Sequence, residues 1–176
     1  MLKSEARNLK RAERAALGES YRAAASDIIA DRVISSPEYK RAKSIFCYVS
    51  FADEVCTERI ISDALSTGKA VYVPRLKDGE MLSVRITERT EYYSGCYEIS
   101  EPYSDETGYA ELAIVPLIGF NGRRERIGYG KGYYDRYFSK TGCFKLGIAF
   151  ASGRADFDGE PHDVRLDKIV TEKEIL

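Results

Sequence analysis

Residues 124–138, RERIGYGKGYYDRYF, put three glycines and four tyrosines among basic and acidic side chains within fifteen positions. That is too much glycine for a helix interior. Gly128, Gly130 and Gly132 allow backbone N–H groups to close on an anion, a task that branched backbone positions cannot perform. Arg126 and Lys131 add positive charge, and a guanidinium can grip phosphate with two parallel hydrogen bonds. Ile127 lies inside the same run. Tyr129, Tyr133 and Tyr134 offer ring faces for stacking and hydroxyls for hydrogen bonding. Asp135 is a hard oxygen ligand suited to Mg²⁺ beside phosphate. The stretch is not a Walker loop, because G-x-x-x-x-G-K-[ST] is absent. The chemistry it suits is the handling of a phosphorylated ligand.

A second set of cations lies at the N-terminus. Lys3, Arg7, Lys10 and Arg14 recur at helical spacing and form one stripe. Like charges so placed repel by a few tenths of a kcal/mol per pair, roughly, and a polyphosphate facing them would offset that. Lys3 and Arg7 are the expected phosphate contacts. Lys10 and Arg14 lie about 10 and 16 Å farther along at ~1.5 Å per residue and are expected to matter less. A competing reading is single-stranded RNA binding, since RIGYGKGYY is similar to the RNP1 pattern of RNA-recognition modules. The formal net charge of −1 weighs against it, as does the lack of an RNP2-like partner segment.

Composition narrows the field further. A chain of 176 residues that is 44% hydrophobic suits one domain, 1–176, with a substantial core. A balanced charge argues against broad adhesion to nucleic acid or anionic membrane. The longest apolar runs, such as LAIVPLIGF, fall far short of the ~20 residues that span a bilayer. The charged N-terminus has no apolar signal core. Cys47, Cys56, Cys96 and Cys143 are scattered, and His162 is the one histidine. Free thiols in a reducing cytoplasm are therefore expected, without a zinc site, and the chain is expected to be a monomer.

The elements that must position these residues follow from periodicity. Residues 2–17 read as a helix ended by Gly18, followed by a second helix capped at Ser20 and a short one after Ser36-Pro37. SIFCYVSF, AVYVP, MLSVRI, LAIVPL, KLGIAF and KIVT read as strands. A helix capped by Thr57 joins the first two, giving a βαβ unit. Residues 87–109 are polar and turn-rich and read as loop. GYYDRYFSK enters a helix whose N-terminus adds a favourable dipole to the glycine loop. The alternation predicts a three-layer α/β/α fold with a central mixed, mostly parallel sheet and N-terminal helices. The glycine loop follows a strand, where ligands of such folds bind.

GFNGRRERIGYGKGYYDRYF resembles the signature of the 5-formyltetrahydrofolate cyclo-ligase (methenyltetrahydrofolate synthetase) family, R-x-G-x-G-x-G-Y-Y-D. The likeness extends over nearly the whole chain. KSEAR is similar to the family's Lys-x-x-x-Arg, SIFCYVSFADEVCTERIISDAL with GKAVYVPRL to its substrate-side segment, ISEP to its Glu-Pro turn, and EPHDVRLDKIVTE to its C-terminal segment. The resemblance implies ATP- and Mg²⁺-dependent closure of 5-formyltetrahydrofolate to 5,10-methenyltetrahydrofolate. Phosphorylation of the formyl oxygen would create a leaving group that N10 displaces. Such chemistry is mostly positioning and charge neutralisation, so no protein nucleophile is needed.

Carried over by motif, Lys3, Arg7 and Arg126 would hold ATP phosphates. Arg126 through Tyr134, namely Ile127, Gly128, Tyr129, Gly130, Lys131, Gly132, Tyr133 and Tyr134, would form the shared nucleotide and folate loop, with Lys131 and Arg126 beside the transferring phosphoryl group. Asp135 and Asp163 would hold Mg²⁺. Phe51, Glu54 and Cys56 would line the pterin side with Tyr129 to Tyr133. Four positions depart from the pattern. Cys56 stands where an acidic residue is usual, Glu98 where a glycine precedes Glu-Pro, Asn121 where GFD is usual, and Gly153 near the place of a glutamine. A relative acting on another formyl or folate-like compound is the alternative these departures keep open.

Overall fold

The computed structural model describes residues 1–95 and 100–176; Cys96 and Glu98 lie outside them. Three helices come first: α1 (Lys3–Ala15), α2 (Glu19–Ser35) and α3 (Pro37–Arg41). The Ser36 side chain accepts the Tyr39 N–H and proline takes the first turn of α3, as the sequence predicts. The cap of α2 is Gly18 rather than Ser20. Gly18 is extended, with φ −62° and ψ 148°, so it opens the second helix instead of closing the first.

Six strands form one sheet: β1 (Ser44–Cys47), β2 (Ala70–Lys77), β3 (Glu80–Ile86), β6 (Leu112–Pro116), β9 (Phe144–Ile148) and β10 (Lys168–Val170). Their order is β10-β9-β6-β1-β2-β3. All neighbours are parallel except the β2–β3 hairpin, which turns at Asp78-Gly79, both at positive φ. The β1–β2 crossover runs through α4 (Glu58–Ser66), which stops before Gly68 at φ 78°.

Period-two alternation divides the core. Ile45, Cys47, Val71, Val73, Leu112 and Ile114 face one way and meet Ile29, Val33, Ile60 and Ala64 of α2 and α4. Phe46, Ala113 and Val115 face the other way and meet Tyr137 and Phe138 of α5 (Tyr133–Phe138). Helices therefore cover both faces, and the predicted α/β/α architecture with a mixed, mostly parallel sheet is what the chain adopts.

Two features were not legible. Within 87–109, expected to be loop, β4 (Tyr92–Ser94) and β5 (Ser100–Pro102) form an antiparallel pair. Three-residue strands are too short to display an alternation. Beyond β6, β7 (Gly119–Phe120) pairs with β8 (Arg126–Ile127), so the glycine loop hangs from a small ribbon rather than from the main sheet directly. α1 packs against this ribbon and against the single turn at Ala151–Gly153. Ala6, Ile118, Ile127 and Phe157 form the apolar joint. Among the described residues no helix is long and apolar enough to cross a membrane.

Candidate active site

A cleft of about 420 Å³ opens at the carboxyl ends of β1 and β6. The chain leaves β1 toward β2 on one side and reaches β6 on the other, so this is the reversal point of the sheet, where α/β folds bind ligands. One end of the cleft is cationic and glycine-rich, with Lys3, Arg7, Arg11, Arg126 and residues 128–132. The other is apolar with two carboxylates: Val49, Phe51, Pro74, Leu76 and Met81 beside Glu54 and Glu101.

The glycine loop has the conformation its composition demands. Gly130 and Gly132 have φ of 83° and 67°, in the left-handed region. An ideal Cβ at Gly130 would stand in van der Waals contact with Arg7, whose Cζ lies 3.4 Å away. Arg7 braces the loop by donating from Nε to the Gly128 carbonyl at 2.8 Å. Gly132 caps α5, which is six residues long. So short a helix carries little macrodipole, and the positive field of this end comes mainly from side chains. Lys131 and Tyr133 line the cleft, and the Arg136 guanidinium lies 5.0 Å from the Tyr133 ring centroid.

Asp135 and Asp163 both line the cleft, but each is engaged by an expected phosphate ligand. Arg126, 6% exposed, donates from Nη2 to Asp135 Oδ1 at 2.8 Å and from Nη1 to the Val164 carbonyl at 2.6 Å. The Val164 N–H donates to the same Asp135 oxygen at 3.1 Å, which fastens Asp135 beside Asp163. Lys3 Nζ pairs with Asp163, and Glu160 Oε2 lies 3.5 Å from the same ammonium. Burial opposes the Asp163 charge. The Glu160 N–H at 2.7 Å and Lys3 outweigh it, and the carboxyl is held below the usual aspartate value. One ligand atom each from Glu160, His162 and Asp163 lie within 4.8 Å of one another; Asp135 is not in that group. Two hard carboxylates at the cationic end, each paired with a basic side chain, are of the ligand type that suits Mg²⁺.

On the acidic side the loop after β1 is tightly clamped. Tyr48 donates to the Val55 carbonyl at 2.8 Å, and Thr57 Oγ1 donates to the Tyr48 carbonyl at 2.8 Å. Glu54 is held in the cleft by the Phe51 N–H at 3.0 Å on one oxygen and the Tyr129 hydroxyl at 2.8 Å on the other. Burial raises the Glu54 pKa against these two donors and the nearby Arg14 charge. Burial and the Glu54 charge push Tyr129 up to about 12, so it remains a donor at neutral pH.

Two expectations are corrected here. Cys56 does not line the cleft: it is exposed, and its N–H donates to Ser26 of α2 at 3.0 Å. Val55 and Thr57 are the inward positions, so the residue between them must face out. Ile127 contributes no side chain to the loop's ligand surface, being fully buried against α1. The cation stripe is also redistributed. Lys10 pairs with Glu13 at 2.8 Å, whereas Arg11 lines the cleft. Arg14, expected to matter least, is 7% exposed and donates from Nη2 to Asp53 at 2.8 Å and to the Tyr129 hydroxyl at 3.0 Å. Burial opposes its charge, but Tyr129 and Asp53 outweigh that and raise its pKa.

The departure at Asn121 has a local explanation. Its amide donates to Glu125 at 2.6 Å and to the Phe157 carbonyl at 3.0 Å, while its oxygen accepts the N–H groups of Arg123 and Glu125. Only an amide both donates and accepts in this way. The network ties the β7–β8 turn to the segment leading to Asp163. Gly153 is buried under the Ile118 carbonyl, 3.2 Å from an ideal Cβ, which leaves little room for a longer side chain. The residues that sequence reasoning missed, Arg11, Val49, Pro74, Leu76, Met81 and Glu101, come from four separate segments. Glu101 lay in ISEP, and Val49, Pro74 and Leu76 lay in the segments similar to the family's substrate side, but nothing singled them out as individual positions.

The comparisons with known proteins agree with this geometry. Residues 2–172 match the model of the 5-formyltetrahydrofolate cyclo-ligase family. A Mus musculus 5-formyltetrahydrofolate cyclo-ligase is 28% identical, covering 93% of each chain. A Schizosaccharomyces pombe protein named "Probable 5-formyltetrahydrofolate cyclo-ligase" is 30% identical over 84% of each chain. The solution structure of Aquifex aeolicus 5,10-methenyltetrahydrofolate synthetase superposes with a TM-score of 0.87 at 29% identity, over 99% of this chain and 92% of that one. With its signature loop, its sheet and nearly its full length accounted for, the chain belongs to the 5-formyltetrahydrofolate cyclo-ligase family of ligases.

Proposed function

We propose that the protein closes 5-formyltetrahydrofolate to 5,10-methenyltetrahydrofolate at the expense of ATP, with Mg²⁺ bound to the nucleotide. The observation that carries this reading is a single cleft whose cationic glycine end and apolar, acidic end meet at Tyr129. Lys3, Arg7 and Arg126 would grip the polyphosphate, and Lys131 would neutralise charge on the transferring phosphoryl group. Asp135 and Asp163 would hold Mg²⁺, which supplies charge neutralisation of the phosphates. Lys3 and Arg126 now sit on those carboxylates. Binding would therefore exchange one set of ion pairs for another, leaving neither the cations nor the carboxylates uncompensated. Phe51 and Glu54 would orient the reduced pterin so that the formyl oxygen faces the γ-phosphate and, once that oxygen is phosphorylated and ADP formed, N10 can attack the formyl carbon and expel inorganic phosphate. The reaction requires these groups to be aligned, and alignment is what a clamped loop provides.

Cys56 lies outside the cleft and so lends no support to a different substrate. The RNA reading is disfavoured by the tyrosines themselves. Of the tyrosines in RIGYGKGYY, Tyr134 packs into the core against Phe46 and Phe138, and the Tyr129 hydroxyl is tied to Arg14 and Glu54 within the cleft. In this reading one domain works as a cytoplasmic monomer, which sedimentation velocity would check against the 19.8 kDa of one chain. The decisive assay mixes protein, 5-formyltetrahydrofolate, Mg²⁺ and ATP and follows methenyltetrahydrofolate by absorbance. Growth that needs all components supports the reading; none under any nucleotide or metal condition refutes it.

A further inference from the structure

Glu101 is the acidic group in the cleft to which the reaction as described gives no task. It lies on β5 opposite Tyr93 and is 4% exposed. Its Oε2 accepts the Tyr93 hydroxyl at 2.9 Å, and its Oε1 accepts the Leu76 N–H at a long 3.3 Å. Room for the side chain is made by Gly95: an ideal Cβ there would stand 2.3 Å from Glu101 Cδ. Among the described residues no lysine, arginine or histidine forms an ion pair with it. The adjacent cation, Arg75, is committed to Asp105 at 3.0 Å and to the Ser104 carbonyl.

A carboxylate offers about four acceptor positions, and the described residues fill two of these. Burying such a group without a counter-charge is costly unless its remaining lone pairs are also met. Those lone pairs belong to a residue that lines the cleft, beside Pro74, Leu76 and Met81. Apolar walls with one buried carboxylate suit a flat heterocycle that presents two neighbouring N–H donors on its edge. The 2-amino-4-oxopyrimidine edge of a pterin has that form, with N3–H beside the 2-amino group. Glu54, at the junction of the two ends, likewise accepts one hydrogen bond on each oxygen, from Phe51 and Tyr129, but it also has the Arg14 charge nearby and is the better compensated of the two.

Resting on the function proposed above, we infer that Glu101 is the specificity-determining carboxylate that reads the 2-amino-4-oxopyrimidine edge of the substrate. The acidic partner that the sequence led us to expect at position 56 is supplied instead from β5.

Equilibrium binding by calorimetry, without nucleotide, tests this with two ligands: 5-formyltetrahydrofolate and its analogue bearing methyl in place of the 2-amino group. The wild-type protein should bind the analogue about ten- to a hundredfold more weakly, the range for a hydrogen bond to a charged group. Glu101→Gln should bind 5-formyltetrahydrofolate more weakly and discriminate between the two by less than about twofold. Glu101→Asp, which keeps the charge but retracts it, should weaken binding yet retain part of the discrimination, a result that a merely structural role would not give. Affinity for a non-hydrolysable ATP analogue should stay within about twofold throughout and reports that each variant is folded. An equal analogue penalty in wild type and Glu101→Gln, or no penalty in wild type, overturns the inference alone. A wild-type protein that binds no 5-formyltetrahydrofolate overturns it together with the functional reading.

Discussion

Replacing Arg14 by leucine tests the connection between α1 and the acidic side of the cleft. The substitution removes a buried guanidinium from Asp53, at 2.8 Å, and from the Tyr129 hydroxyl, at 3.0 Å, and removes a cation 5.8 Å from the Tyr129 ring centroid. Breaking a fully buried pair costs about 3–5 kcal/mol. Asp53 keeps 25% of its side chain exposed, so water can replace part of what it loses. Arg14 Nε is itself buried without a hydrogen-bond partner, an unfavourable feature that leucine eliminates. The expected loss of stability is therefore about 2–3 kcal/mol, measured by urea unfolding. The functional effect should be selective. Tyr129 loses the donor that fixes its hydroxyl toward Glu54, and Glu54 loses a cation that favours its charged form. Folate affinity should fall about tenfold, while affinity for a non-hydrolysable ATP analogue changes less than about twofold, because Lys3 and Arg7 remain at the other end of the helix. Arg14→Lys should recover part of the folate affinity. If folate and nucleotide affinity fall together, Arg14 only stabilises the fold. If neither changes and stability is intact, the network has no energetic weight.

Asp135→Asn should lower turnover by more than about a hundredfold at any Mg²⁺ concentration while circular dichroism shows a folded protein; near-normal activity at low Mg²⁺ would exclude the metal role. Asn121→Asp should cost about 2–4 kcal/mol at neutral pH, since an oxygen would replace the donor to Glu125 and Phe157. Hydrogen bonding from Asn121, followed by Arg123, holds the Glu125 pKa below the ordinary glutamate value. Its contribution to stability is therefore complete above that ordinary value and fades as pH falls through the lowered one. The gap between wild type and Asn121→Asp should accordingly narrow in acid, and thermal unfolding at pH 7 and pH 3 checks it. Cys56→Glu should leave folate affinity within about twofold, because the side chain faces solvent beside α2; a tenfold gain would return position 56 to the pterin site.

The architecture was legible because it rests on short-range regularities. Short apolar runs in SIFC, LAIVP and FKLGI mark buried strands, and glycine spacing marks a loop that needs positive φ at Gly130 and Gly132. Lys3, Arg7, Arg126, Asp135, Glu54 and Phe51 also reach one cleft, as their motifs led us to expect. The cation stripe was misjudged because helical spacing says which side chains share a face but not what that face meets. Ala6, fully buried, fixes how α1 sits on the β7–β8 ribbon, and that orientation sends Arg11 to the cleft and Arg14 to Asp53.

By itself, then, the sequence determined the sheet, the glycine-rich loop and the family, since each is written in residues close together along the chain. Only the tertiary structure decided which carboxylates face the cleft. Cys56 and Glu54 are two positions apart, yet the clamp of Tyr48 on Val55 and Thr57 on Tyr48 turns one outward and leaves the other inside. Glu101 and Leu76 are twenty-five positions apart and are joined by a hydrogen bond. Loop irregularity breaks the period that would have placed the first pair. Contact between separate strands, which no local pattern encodes, places the second.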